Sequence, residues 1–190
     1  MKTKWVLPLF VFLVIIGAGV IATFWFKPQL TSVARLEAEH EIYYILLADP
    51  RFAGEQTNLI LEHTTLGEFQ ESASKNNFEF ISDGLPTLKQ GTLIDFQENN
   101  KITYPIKDFL PISNNYLLVN PSVNQQIWWV SFSRIGLNSS ATQALVMVEL
   151  YAACQNGICE YGTGNFILFH KIGEKWTIEE SIEIWHMHPT

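Results

Sequence analysis

Alternation of apolar and polar positions dominates the last third of the chain. Four runs, Ile127 to Leu137, Ala144 to Cys154, Cys159 to Ile172 and Lys175 to His188, are rich in β-branched and aromatic residues and are separated by short turn sequences. That is the pattern of an antiparallel meander. Between the second and third runs lies Asn156-Gly157, and because both residue types tolerate positive φ, the sequence places a two-residue hairpin turn there. The turn fixes the register. Val146 then faces Ile167, Ala144 faces Phe169 and Val148 faces Asn165 on one side of the sheet, while Leu145 faces Leu168 and Met147 faces Phe166 on the other. Both sides are apolar near the root of the hairpin, so both need cover. Further out Tyr151 faces Gly162 and Glu149 faces Gly164, an arrangement in which a large side chain can shield a glycine. Cys154 faces Cys159 in a non-hydrogen-bonded pair, where Cα atoms approach to about 4.5 Å, within the range of a disulfide. A cross-strand disulfide is therefore expected at the hairpin tip.

The turn into the fourth run is either Ile172-Gly173 or Gly173-Glu174, the second suiting a type II′ turn, and both give the same parity. Trp176, Ile178, Ile182 and Ile184 then share a face with Val146, Ile167 and Phe169, and Thr177, Glu179, Ser181 and Glu183 point the other way. Glu180 falls on the apolar face near Asn165. A carboxylate there must be hydrogen-bonded, shifted in pKa or at the mouth of a pocket, unless a bulge at Glu179-Glu180 or an open edge relieves it.

Helical spacing appears earlier in the chain. Leu36, Ile42, Tyr43, Leu46 and Leu47 give an apolar face from Ser32 to Ala48, with Glu37, Glu39 and Glu41 in its early turns and Asp49-Pro50 ending it. Asn58 to Leu66 reads as a strand containing His63, Gly67 to Asn76 as a weaker helical region, and Pro86-Thr87 as the opening of a helix stopped by Asn99-Asn100. Pro105, Pro111 and Pro121 make the next stretch irregular, except for a short edge strand at Tyr116 to Val119. Helices first and strands later predict an α+β domain, with helices packed on one face of a four- to six-stranded antiparallel sheet.

The N-terminus changes the picture. Trp5 to Phe26 is 22 residues without a charge, long enough as a helix to cross a bilayer core, with Lys2 and Lys4 before it. Residues 1–27 are thus expected to be a cytoplasmic stub and transmembrane signal-anchor, 28–34 a linker, and 35–190 an extracytoplasmic domain, periplasmic or extracellular. A cleaved signal peptide with Ser32-Val33-Ala34 near its site is the alternative. All 19 acidic residues follow position 27, and three of the 12 basic residues lie at or before it, so the later domain is strongly acidic. That charge argues against nucleic acid as a partner. Two cysteines fit an oxidising compartment.

The stretch Ser133-Arg134-Ile135-Gly136-Leu137-Asn138, then Thr142 to Val146, the two cysteines with Gly162 and Gly164, and Gly173-Glu174-Lys175-Trp176, resembles a group of uncharacterised exported bacterial domains. These are similar in shape to cystatin-like or nuclear-transport-factor-like folds, in which a curved sheet wraps a helix. The resemblance implies no activity. Ile172 stands where a Lys or Asn usually precedes the turn glycine.

Candidate chemistry is sparse. Glu180 and Asn165 are candidates to line a ligand site. His186 and His188 share one side of a strand and could serve a metal only with a third ligand, so no metal or other cofactor is expected. Arg134 is expected in a structural ion pair, and Trp128-Trp129 puts one ring on each face. Asn138-Ser139-Ser140 is a glycosylation sequon. No nucleophile elbow, phosphate-binding glycine loop or His-Glu zinc motif is present in the sequence. The leading expectation is a membrane-anchored module that binds an envelope protein or a small ligand. The alternatives are an envelope enzyme with Glu180 or a histidine as general base, and a structural subunit of a membrane complex.

Overall fold

The computed structural model describes residues 31–52, 58–64, 78–111, 116–119, 127–154 and 161–187. Among these residues three helices, α1 (Ser32–Ala48), α2 (Phe78–Gly84) and α3 (Gln90–Asn99), accompany seven strands: β1 (Asn58–Leu61), β2 (Tyr116–Val119), β3 (Ile127–Phe132), β4 (Gly136–Leu137), β5 (Gln143–Cys154), β6 (Tyr161–Ile172) and β7 (Lys175–Met187). One sheet runs β2-β1-β3-β5-β6-β7, with β4 also pairing β5.

This corrects the expected fold class. The sheet is mixed, because β1 is parallel to both β2 and β3, and it has seven strands. A parallel pair needs a crossover, and α2 and α3 lie in the connection from β1 to β2. The helices also cover both faces: α1 joins a core of Val146, Ile167 and Phe169, whereas Ile81 of α2 and Phe96 of α3 pack on Leu145, Met147, Phe166 and Leu168. The single-pass membrane expectation, and the cytoplasmic and periplasmic placement built on it, is withdrawn. No helix among the described residues is long and apolar enough to cross a membrane, and residues 5–26 lie outside them.

The β5–β6 register is the one that the Asn156-Gly157 turn demands, with Ala144 opposite Phe169 and Tyr151 opposite Gly162. The disulfide is withdrawn as well. The β5–β6 ladder closes at Ala152–Tyr161, Cys154 lies opposite Ile127 of β3, and no disulfide occurs among the described residues. Cys159 and the turn itself lie outside them.

In β7 the expected parity holds only over the first turns of the strand. Gly173 alone takes positive φ in the β6–β7 turn, +62°, which a type II′ turn needs at its first central position, so Ile172 faces Lys175 and Trp176 enters the α1-side core. A bulge then leaves Glu179 unpaired between Ile178 and Glu180, and a second leaves Ile184 unpaired before Trp185. The first bulge flips the strand, so Ile182 and Ile184 pack on the α2–α3 face instead of beside Val146. Trp185 lies flat across Gly162 and Gly164; a Cβ on Gly164 would fall 2.0 Å from its Nε1.

Candidate functional site

α1 begins at Thr31, whose hydroxyl accepts from the Ala34 N–H at 3.2 Å, and it buries Ile42, Tyr43 and Leu46 against the sheet. The 3.6-residue period therefore turns Val33, Leu36, Glu37, His40, Glu41 and Tyr44 away from the core. Across from this outer wall stands the β6–β7 turn with Glu174, Lys175 and Trp176. Between the two lies an open cleft of about 540 Å³, lined also by Ile45 and Pro111. Trp176 lines it while only 5% exposed, and its indole N–H has no acceptor. The Lys171 ammonium sits 5.7 Å from the Trp176 ring centroid, a cation–π contact that also brings it to 3.9 Å from Glu174.

Buried charge fixes the position of α1. Glu39, 1% exposed, accepts from Arg35 Nε at 3.1 Å and from Arg134 Nη2 at 2.8 Å. Arg35 also grips Asp95 of α3 with two bonds, 3.2 and 2.9 Å, and donates to the Ile135 carbonyl at 2.8 Å. The Arg134 guanidinium lies 3.6 Å from the Phe109 ring centroid, and its backbone is held by Asn100 from both sides, N–H to Oδ1 at 2.7 Å and C=O to Nδ2 at 2.9 Å. Tyr43 donates its hydroxyl to the Ser133 carbonyl at 2.8 Å. Burial together with the Glu39 charge raises the Tyr43 phenol, which stays a donor throughout the range in which the protein is handled. For Arg35, burial alone would lower the guanidinium, but the bonds and charges of Asp95 and Glu39 more than offset it and leave it raised.

The connector Ser133 to Ile135 is where these groups converge, because the β3 ladder is interrupted there before β4 resumes against β5. Ser133 bridges the gap: its N–H donates to the Met147 carbonyl at 3.0 Å and its Oγ accepts from the Met147 N–H at 2.8 Å. Arg134 thus takes the structural ion pair expected of it, with Glu39 of α1 as its partner. Asn138 is committed too. Its Oδ1 accepts from the Thr142 N–H at 2.8 Å, so the sequon asparagine caps a turn from a buried position.

The sequence-derived candidates do not converge. Glu180 pairs with Leu168 on the α2–α3 face, half-buried, with Oε2 enclosed and unpartnered. Asn165 pairs with Val148 and Glu183 on the α1 face and donates to Thr163 Oγ1 at 3.3 Å. His186 Nδ1 lies 3.3 Å from Glu183 Oε2, and His188 lies outside the described residues. Among the described residues no group of three His, Cys, Asp or Glu side chains is placed to hold a metal. The cleft residues His40, Glu41 and Tyr44 carried one signal that sequence reading passed over: they fall on the outward side of α1, beside apolar residues that are not needed for its core.

A second enclosed polar group is Glu149, fully buried, with Oε2 accepting from Ser131 Oγ at 3.0 Å. Beside it Trp129, Tyr151 and Trp185 form a row with ring centroids 5.8 and 5.5 Å apart. The rings are packed on one another, with Trp129 only 9% exposed and Tyr151 and Trp185 half-buried, so the row is a packed stack and not an open platform. No protein-family model, no curated protein and no solved structure matches this chain.

Proposed function

We propose that this protein is a binding module whose ligand or partner seats in the cleft between α1 and the β6–β7 turn. The observation that carries this reading is the cleft itself: about 540 Å³, within the usual size of a ligand site, with two aromatic residues and a small number of charged groups on its walls. Those walls are rigid. One is a helix pinned by four charged side chains, the other a tight turn whose Trp176 is locked into the core.

An enzyme is the weaker reading. Its support is the enclosed Glu180 oxygen, but a general base needs a proton within hydrogen-bond reach, and Glu180 lies on the face away from the cleft, across from Leu168. Screening small aromatic fragments by ligand-observed NMR against the full chain tests the proposal. Fragments bind the wild type and lose their signal with Tyr44→Ala. Equal binding by both chains, or loss with Glu180→Gln instead, would overturn the reading.

A further inference from the structure

Resting on that reading of the cleft, we infer that its occupant is a basic amphipathic helix of a partner protein, laid along the outer face of α1 with one apolar side chain anchored beside Trp176. Val33, Leu36 and Tyr44 are 64%, 38% and 64% exposed, and with His40 they recur at intervals of three and four residues. At about 1.5 Å per residue they form a seam roughly 16 Å long that runs into the cleft, matching the i, i+3, i+7 anchors of helix-in-groove recognition. A small ligand would use the cleft and leave the rest of the seam uncovered.

Charge selects the partner. Glu37 and Glu41 stand one turn apart on the exposed side of α1, and no described residue forms an ion pair or hydrogen bond with either. The one base on the first turns of α1, Arg35, is turned inward to Glu39 and Asp95. Across the cleft Lys171 is engaged with Trp176 and Glu174, which leaves Lys175 as the cation facing it. An incoming helix with Lys or Arg four residues apart can pair with Glu37 and Glu41 while its apolar stripe covers the seam. A second copy of this chain would instead set the same carboxylates against each other, in a protein of net charge −7.

The test uses the full-length chain and a fluorescently labelled 18-residue synthetic peptide with Leu at i, i+3, i+7 and i+11 and Lys on both flanks. Two further peptides serve as comparisons, one with Glu for every Lys and one of scrambled order. Polarisation is expected to show saturable binding of the Lys peptide alone, weakened at least about tenfold by the paired charge reversals Glu37→Lys and Glu41→Lys and by Tyr44→Asp. All three positions are exposed, so the fold is retained, and circular dichroism verifies it. Equal binding of the scrambled peptide overturns the inference, as does self-association by sedimentation that Tyr44→Asp abolishes. If the peptide fails while aromatic fragments still bind in a Tyr44-dependent way, the inference falls and the cleft stands; if both fail, both fall.

Discussion

On the α1 face of the sheet, Ile42, Tyr43 and Leu46 share their core with a network of two arginines and two acids, whereas on the opposite face Ile81, Leu85 and Phe96 meet Leu145, Met147, Phe166 and Leu168 without any buried ion pair among the described residues. Apolar packing rewards close contact but is tolerant of how a helix is rotated. Hydrogen-bonded charge is not, since a guanidinium a turn out of place leaves a carboxylate buried alone. The helix that carries the cleft is located by directional bonds. On the other face α2 meets the sheet through apolar contact, and α3 combines the two: its Asp95 takes the Arg35 bonds and accepts from the Leu137 N–H at 2.7 Å, while Gly136 lets it come so close that a Cβ there would fall 2.4 Å from Phe96 Cβ and 2.6 Å from its backbone N. The α3 start is tied by Gln143, whose Oε1 accepts from the Lys89 N–H at 2.7 Å and from Thr92 Oγ1 at 3.0 Å.

Breaking the α1 side gives the largest effect. Glu39→Ala strands Arg134 in the core and is expected to cost about 3–5 kcal/mol in urea unfolding, while Glu39→Leu combined with Arg134→Met costs much less, because neither charge is then left unpaired. If the pair substitution is as damaging as the single one, the network does more than orient α1. On the α2–α3 side, Gly136→Ala forces α3 away from the sheet and is expected to cost about 1–3 kcal/mol, with loss of the edge-on contact between Phe96 and Phe166, now 5.5 Å between centroids. A change at the margin of the α1-side core, where backbone strain and not packing is at issue, sharpens the comparison. Ala141 holds φ at +48° in the Asn138–Thr142 turn, so Ala141→Gly is expected to raise stability by about 1 kcal/mol.

The smallest effect is in pH. The Arg51 side-chain bond, at 2.7 Å, holds the Asp49 carboxyl below its ordinary value at the end of α1. A lowered folded pKa contributes stability above the unfolded value, about 3.9, and that contribution is lost as pH falls through the folded one. The Arg51 guanidinium is about half exposed and screened by water, so Arg51→Ala should remove only a few tenths of a kcal/mol at neutral pH and nothing at the acid end. An equal loss at both ends of the titration would mean that Arg51 acts through packing on Phe52 instead.

What could be read in the sequence was local and periodic. The β5–β6 register follows from one turn, and α1 from its stripe of Ile42, Tyr43 and Leu46. Bulges at Glu179 and Ile184 insert single residues for which no composition signal exists, so the facing of Ile182 and Ile184 was lost with them. Parallel pairing of β1 with β2 is a long-range event, and a four-residue run such as Asn58–Leu61 does not say which neighbour it will find. Glu39 looked like a helix-dipole residue because its partner, Arg134, is 95 positions away. The cleft was invisible for the same reason: its walls come from opposite ends of the described chain.

The claim that the cleft is the binding seat is tested most directly by the Trp176 indole N–H resonance of the full chain during titration with a bound fragment or peptide. The account predicts that this resonance shifts and saturates with the binding isotherm while those of Trp129 and Trp185 stay in place. Binding that moves either of those and leaves Trp176 unchanged would contradict it.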